Sequence, residues 1–322
     1  MFLPSDLGEY FFISLAVTVF LGLLSVAFVR RDSTLPVAIG SIVGILFLLL
    51  SGNVWTLAFS MLGASSIVLL YCKPGFLTTI AGFAVGAFIL ITGSDSYQWA
   101  LFCVAFTVSA MGSLLVTNAI ILSGGINNAM KGVDPRKESI RDVFQVSIGI
   151  GILIGSALVG LFYSRIAMLL GAVLLVAVGN VASTYPRAYL SRILWSMERE
   201  SVILGLGAVW VAISAVLSAG LSHTIQAFLL CAVVIFVSDS MATIIGVRYG
   251  KTKLYRGSRK SLQGLVAHVL ISVIAGYLLL GIAGGIIGVI SSLVEGFSQG
   301  KLDDNLTTGV FVSVAVWLLP FL

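Results

Sequence analysis

Charge is what this sequence has least of: Asp, Glu, Lys and Arg make up 10% of its 322 residues, whereas 59% are hydrophobic. A soluble domain carries about 25% charged residues on average, so a chain this poor in them has too little to cover a water-facing surface. A soluble globular protein is excluded. Cysteine is equally sparse, because Cys72, Cys103 and Cys231 form no CxxC and have no histidine nearby in the sequence. Neither a disulfide framework nor a zinc site is indicated. The short alternating runs of a barrel are missing too, which leaves helices as the way to satisfy backbone groups in lipid. Before the first apolar run stands MFLPSDLGEY, acidic where a signal peptide would be basic, so that run is expected to stay as a helix.

What the sequence has is a succession of apolar segments, near 10–29, 35–50, 54–71, 76–92, 98–122, 143–163, 165–183, 201–219, 224–246, 265–297 and 307–321. Stretches of about 20 apolar residues match the hydrocarbon core. The expected fold is an all-α, polytopic membrane bundle of about 11 to 12 helices. Small residues recur at spacing four, at Gly40 and Gly44, Gly82 and Gly86, Gly151 and Gly155, and Gly284 and Gly288. Plain helix packing accounts for them.

Cations cluster on alternate turns: Arg30 and Arg31; Lys73; Lys131, Arg136, Lys137 and Arg141; Arg187, Arg192 and Arg199; and the run from Arg248 to Lys260. The enrichment of Lys and Arg in cytoplasmic loops places these inside and the N-terminus outside, and it accounts for the net charge of +5 without a nucleic-acid polymer as partner. Segment 265–297 would span about 50 Å as one helix, against a core of about 30 Å. Splitting it at Gly284 and Gly285 returns the polar stretch EGFSQGKLDDNL to the cytoplasmic side.

Two loops then carry the chemistry. Asp239, Ala242, Gly246 and Gly250 share one helix face, small apart from its carboxylate, and an ionisable group in a membrane segment points to function. The competing reading is a structural ion pair with Arg248 or a neighbouring basic loop. Next, GVRYGKT has glycines and a lysine but lacks the spacing and the strand of a P-loop. In GSRKSLQG, Ser258 or Ser261 is suited to cap the following helix, whose free amides with Arg259 and Lys260 would favour an anion. The later loop supplies Glu295, Asp303, Asp304 and Asn305, oxygen ligands of the kind Mg2+ accepts beside substrate phosphates. His223 is expected in an outside turn and His268 as a packed polar residue that could still contact substrate at the headgroup level.

The ordered blocks DxxAxxxGxxxGKxKL from Asp239 to Leu254, KSLQG from Lys260 to Gly264, and Glu295 followed by LDDNLT resemble the dolichol kinase family. That family includes phytol kinase and CTP-dependent diacylglycerol kinases and is related to phosphatidate cytidylyltransferases. The resemblance implies a kinase that uses CTP and Mg2+ to phosphorylate a polyprenol-like lipid alcohol at the cytoplasmic face. It implies catalytic roles for Asp239 and Asp304. Gly246, Gly250, Lys251, Lys253, Arg259, Lys260, Ser261 and Gly264 would bind nucleotide phosphates, and Asp239, Glu295, Asp303, Asp304 and Asn305 the metal. Gln263 stands where the family has an acid, Thr308 and Gly309 where it has proline, and ESIRDVFQ, Glu138 to Gln145, only faintly echoes an earlier family signature.

Residues 123–322 are accordingly expected to form the catalytic unit, and residues 1–122 a set of transmembrane helices of unassigned role that could also mediate assembly into a homo-oligomer. A CDP-lipid synthase, a diacylglycerol kinase and, outside enzymes, a transporter are the alternatives.

Overall fold

The computed structural model describes residues 135–184, 187–189, 191–193, 206–256, 258, 260–298 and 304–321, with scattered helical positions between 42 and 112. Its named elements are helices: α1 (Pro135–Thr184), α2 (Leu206–Leu221), α3 (Ile225–Ala232), a π-helix (Val233–Ser238), α4 (Asp239–Tyr249), α5 (Leu262–Phe297), α6 (Asp304–Leu318) and a closing 3-10 turn (Leu319–Phe321). No strand occurs among the described residues; one isolated bridge joins Lys253 to Ser261. Two compact units are present, residues 1–131 with 173–195 and residues 132–172 with 196–322. The second unit holds every block of the expected site. Expectations for the first 122 residues, including Cys72 and most of the early spans, lie outside the described residues.

Three helical runs among the described residues are long and apolar enough to cross a membrane: Arg141–Ala172, Ile225–Tyr249 and Leu262–Phe297. Two of them are broken at a glycine, α1 at Gly160 (φ 82°) and α5 at Gly281 (φ 65°). Positive φ is strained for any residue with a Cβ and nearly free for glycine, so each break falls where the sequence permits it.

The break in α5 corrects the expected split at Gly284 and Gly285. The chain turns at Gly281, while Gly284 and Gly285 are helical and buried in the contact between the two legs. A Cβ on Gly284 would collide with the Gly276 carbonyl, and one on Gly288 would fall 2.5 Å from the Ser272 carbonyl. Only glycine lets the legs approach this closely, and the polar block at Glu295 returns to the end where α5 began.

The buried side of α5 consists of Gly, Ala, Ser and His with Ile287 and Glu295, whereas Leu270, Ile274, Leu278, Ile282 and Ile286 are exposed. Water would favour the opposite arrangement. Small residues inside and large aliphatics outside suit helices packed in lipid, where apolar surface need not be hidden and close backbone approach supplies the attraction.

The remaining helices are set by a few contacts. α2 and α3 are joined by the turn at 222–224, where Thr224 caps α3 by accepting from Ala227 N at 3.2 Å. Arg165, 5% exposed, donates to the carbonyls of Ala219 (3.0 Å) and Ser222 (2.9 Å), placing a cation at the carbonyl end of α2. Ser214 on α2 donates to the Asn305 carbonyl at 3.1 Å, and a Cβ on Gly309 would strike Ser214. At the far end His223 meets the ring of Phe321. α6 therefore runs parallel to α2 and antiparallel to α3. Leu230, Val234, Ile235, Val312 and Val316 form the apolar core between these elements.

Candidate functional site

Asp239 is the first residue of α4 and 8% exposed. It directly follows the π-helix, whose wider turn re-aims the side chains after it and leaves the carbonyl ladder irregular. Gln145 donates to one of those carbonyls, that of Ile235, at 3.3 Å. This gives the ESIRDVFQ segment a structural role, with Asp142, 2% exposed, paired to Arg141 at 2.9 Å. Arg248 does not pair with Asp239; it is exposed and lies 5.8 Å from the centroid of the Tyr249 ring.

Below Asp239 the small face of α4 meets the start of α5. A Cβ on Gly250 would lie 2.7 Å from the Ser261 hydroxyl, one on Gly246 3.0 Å from it, and one on Gly264 2.7 Å from the Ala242 carbonyl. Gly246, Gly250 and Gly264, expected to approach phosphates, here approach one another's helices.

Ser261 is the N-cap of α5, its hydroxyl accepting from Gly264 N at 3.2 Å. Ser258 instead accepts from Lys260 N at 3.0 Å inside the preceding loop. That loop is tied down: Leu254 N donates to Lys260 O at 3.1 Å, Leu262 N to Thr252 O at 2.9 Å, and Thr252 N to Gln263 Oε1 at 3.4 Å. Two of the first amides of α5, those of Leu262 and Gly264, are thus engaged internally. The expected anion site at this helix start is reduced accordingly. Gln263, a departure from the family pattern, serves the loop.

Lys251 and Lys253 are exposed on this loop, and Lys260 turns inward. Its Nζ stands 2.6 Å from Glu295 Oε1 and also donates to the Glu295 carbonyl; the two side chains are 21% and 7% exposed. The fold thereby joins KSLQG to the acidic block. Beside them Tyr255 and Phe297 stack with centroids 6.1 Å apart and planes 7° from parallel, an aromatic pair that no motif flagged.

Helix register completes the placement. Ser214 is level with about Ala232 across the α2–α3 turn, and Asn305 and Gly309 both meet Ser214. At about 1.5 Å per residue this brings the start of α6 to the level of Asp239. Asn305 is buried there. Across α5, Asp239 stands one turn beyond Ala242 and so is level with about His268. That histidine is fully buried, with Nδ1 2.8 Å from Ser292 Oγ and 3.1 Å from Ser272 Oγ. By this count Asp239 and Asn305 lie near the level of His268, about two turns along α5 from the Lys260–Glu295 pair.

The metal fits less well. Among the described residues no three His, Cys, Asp or Glu side chains cluster as ligands, and Glu295 Oε1 is held by Lys260. Arg259, Asp303 and the side chain of Asp304 lie outside the described residues. Asp239 and Asn305 do not constitute a cation site by themselves.

No family model matches the chain, and no solved structure matches it. An uncharacterized protein of Methanocaldococcus jannaschii is 36% identical over 104 residues, 32% of this chain and 53% of that protein. The chain spans about half the length of this curated relative, and no activity follows from the likeness.

Proposed function

We propose that the protein is a multi-pass membrane kinase that transfers the terminal phosphoryl group of CTP to the hydroxyl of an isoprenoid or related lipid alcohol at the cytoplasmic face. The observation that carries this reading is the Lys260–Glu295 pair. It joins the second and third sequence blocks beside the loop that follows α4, the helix whose first residue is Asp239.

Phosphoryl transfer depends mainly on positioning and on neutralising charge spread over the phosphate oxygens. The exposed Lys251 and Lys253 on a braced loop, with Arg259, are proposed to receive the triphosphate. Mg2+ is proposed as its counter-ion. The alcohol oxygen attacks the terminal phosphorus, the bond to the bridging oxygen breaks, and CDP leaves. The hydroxyl proton passes to a carboxylate, for which Asp239 and Asp304 are proposed. An acceptor dissolved in the bilayer suits a bundle whose outer surface is aliphatic.

The test is purified protein in lipid nanodiscs with γ-labelled CTP and a panel of isoprenoid alcohols and diacylglycerol. Label should appear in a lipid phosphate, with CDP as co-product, and EDTA should stop it. Asp239→Asn should lower the rate by at least about 100-fold, the scale of a lost acid–base or charge-stabilising group, with the unfolding temperature kept within a few degrees. Pyrophosphate with a CDP-lipid would instead make the protein a cytidylyltransferase, and lipid or ion flux without CTP a transporter.

A further inference from the structure

His268 is an anomaly in a helix that otherwise buries glycine, alanine and serine. It is 0% exposed, and its two ring nitrogens differ in their surroundings. Nδ1 faces two hydroxyls, while Nε2 has no hydrogen-bond partner among the described residues.

The network suits one tautomer. Ser292 Oγ is 2.6 Å from the Gly288 carbonyl, an acceptor only, and a serine that spends its proton there offers Nδ1 a lone pair. With the ring hydrogen on Nδ1, Nε2 is a bare acceptor, whereas a proton donated by Ser272 onto Nδ1 would make Nε2 the donor, so the accepting tautomer is part of the proposal. A buried acceptor without a donor is costly, whereas the same atom paired with a donor is not. Two buried hydroxyls without a partner, Ser238 and Ser240, flank Asp239 on the elements packed against this leg of α5.

Depth narrows the class of donor. His268 lies about 10 Å along α5 from its N-cap. An interfacial layer is about 5–7 Å thick on each side of the core, so this is just inside the hydrocarbon boundary. The terminal hydroxyl of a membrane lipid reaches that depth from the bilayer. We propose that Nε2 of His268 is the docking acceptor for a hydroxyl-bearing lipid, with Ser292 and Ser272 holding the ring in the accepting tautomer.

This deepens the proposed function by naming the group that seats the acceptor, and it rests on the lipid-acceptor part of that reading. The test needs no turnover. Binding of geranylgeraniol, of a short-chain diacylglycerol and of their methyl ethers, which keep the shape and lose the O–H donor, is measured in nanodiscs without CTP. The native protein should prefer at least one alcohol over its ether by roughly tenfold, the worth of one buried hydrogen bond. His268→Phe should abolish that preference, and Ser292→Ala, which leaves the ring held by Ser272 alone, should reduce it. Equal binding of alcohols and ethers to the native protein, or a preference surviving His268→Phe, would overturn the proposal; should the phenylalanine variant not fold, a preference unchanged in Ser292→Ala and in His268→Ala would do so. Discrimination without any phosphoryl transfer from CTP would leave this docking site standing and remove the kinase reading instead.

Discussion

Two long helices of this protein are broken at a glycine of positive φ, and both carry the same small-residue signature nearby. In α5 the signature is used: Gly276, Gly284 and Gly288 press against backbone of the opposite leg. In α1 a Cβ on Gly149 would fall 2.5 Å from that of Phe236, but one on Gly151, Gly155, Gly160 or Gly171 would meet none of the described residues within 4 Å. The spacing of glycines therefore marks where close approach is permitted, while the rest of the helix face decides whether it happens. In α5 that face continues with Ser272, His268 and Ser292: His268 bonds to Ser292 across the gap and to Ser272 one turn along its own leg.

Filling the tight contact is the most severe way to break this contrast. Gly284→Leu drives a side chain into the Gly276 carbonyl, and backbone cannot rotate away as a side chain would. Ordinary overpacking costs about 1–3 kcal/mol, and a clash against backbone should reach or exceed the upper end. The expected outcome is a protein that loses its cooperative thermal transition in detergent. Gly151→Leu, where a Cβ meets none of the described residues within 4 Å, should keep that transition. A normal unfolding curve for the Gly284 variant would show that the legs are not zipped as described.

At the open end of the same hairpin, breaking the Lys260–Glu295 pair should have the next largest effect. Removing one partner of a buried ion pair costs about 3–5 kcal/mol, and this pair is only partly buried, so Lys260→Met should cost about 1–3 kcal/mol after allowing for solvent screening. Glu295→Gln, which keeps an acceptor for the lysine, should cost less. In the double variant the two losses should not add, and a denaturation cycle reads that coupling directly. Additive losses would mean that the pair does not join the two blocks.

How much of this is legible in the sequence depends on the kind of interaction. The helical class, the return of Glu295 to the end of Lys260 and a serine cap at 258 or 261 follow from composition, length and local side-chain chemistry, and the fold selects Ser261. The turn at Gly281 instead of Gly284 does not, because several glycines satisfy the sequence requirement equally and only packing between the legs selects one. His268 is visible as a polar residue, but its pairing with Ser292 requires knowing the hairpin register, although the four-residue spacing of His268 with Ser272 and of Gly288 with Ser292 is a usable hint. The π-helix before Asp239 leaves no sequence signal at all. Phosphate roles for Gly246, Gly250 and Gly264 rest on permissiveness to close approach, and the fold brings the first two against the Ser261 side chain and the third against the Ala242 carbonyl.

The turns themselves offer a gentler comparison. Gly281→Ala and Gly160→Ala each place a Cβ on a residue of positive φ and near-extended ψ, a region essentially confined to glycine, at a cost of about 1–3 kcal/mol for either. Stability should therefore fall alike in both, by a few degrees of unfolding temperature. The alcohol-over-ether preference should change only for Gly281, since only that turn sets the alignment of His268 with Ser292. Equal effects on the preference would mean that hairpin register does not govern the docking site.

The smallest effect has the opposite sign. Gly155 is helical with open space beside it, so alanine there adds no clash and removes conformational freedom from the unfolded chain. Gly155→Ala should stabilise by about 0.4–1 kcal/mol, measurable as a slight rise in unfolding temperature or denaturant midpoint. The same change at Gly288, whose Cβ would lie 2.5 Å from the Ser272 carbonyl, should destabilise instead. The sign difference between two chemically identical substitutions isolates packing from propensity. A loss of stability at Gly155 would show that this face of α1 is closed against a partner surface, and the contrast between the two broken helices would then be one of partner, with both glycine faces packed.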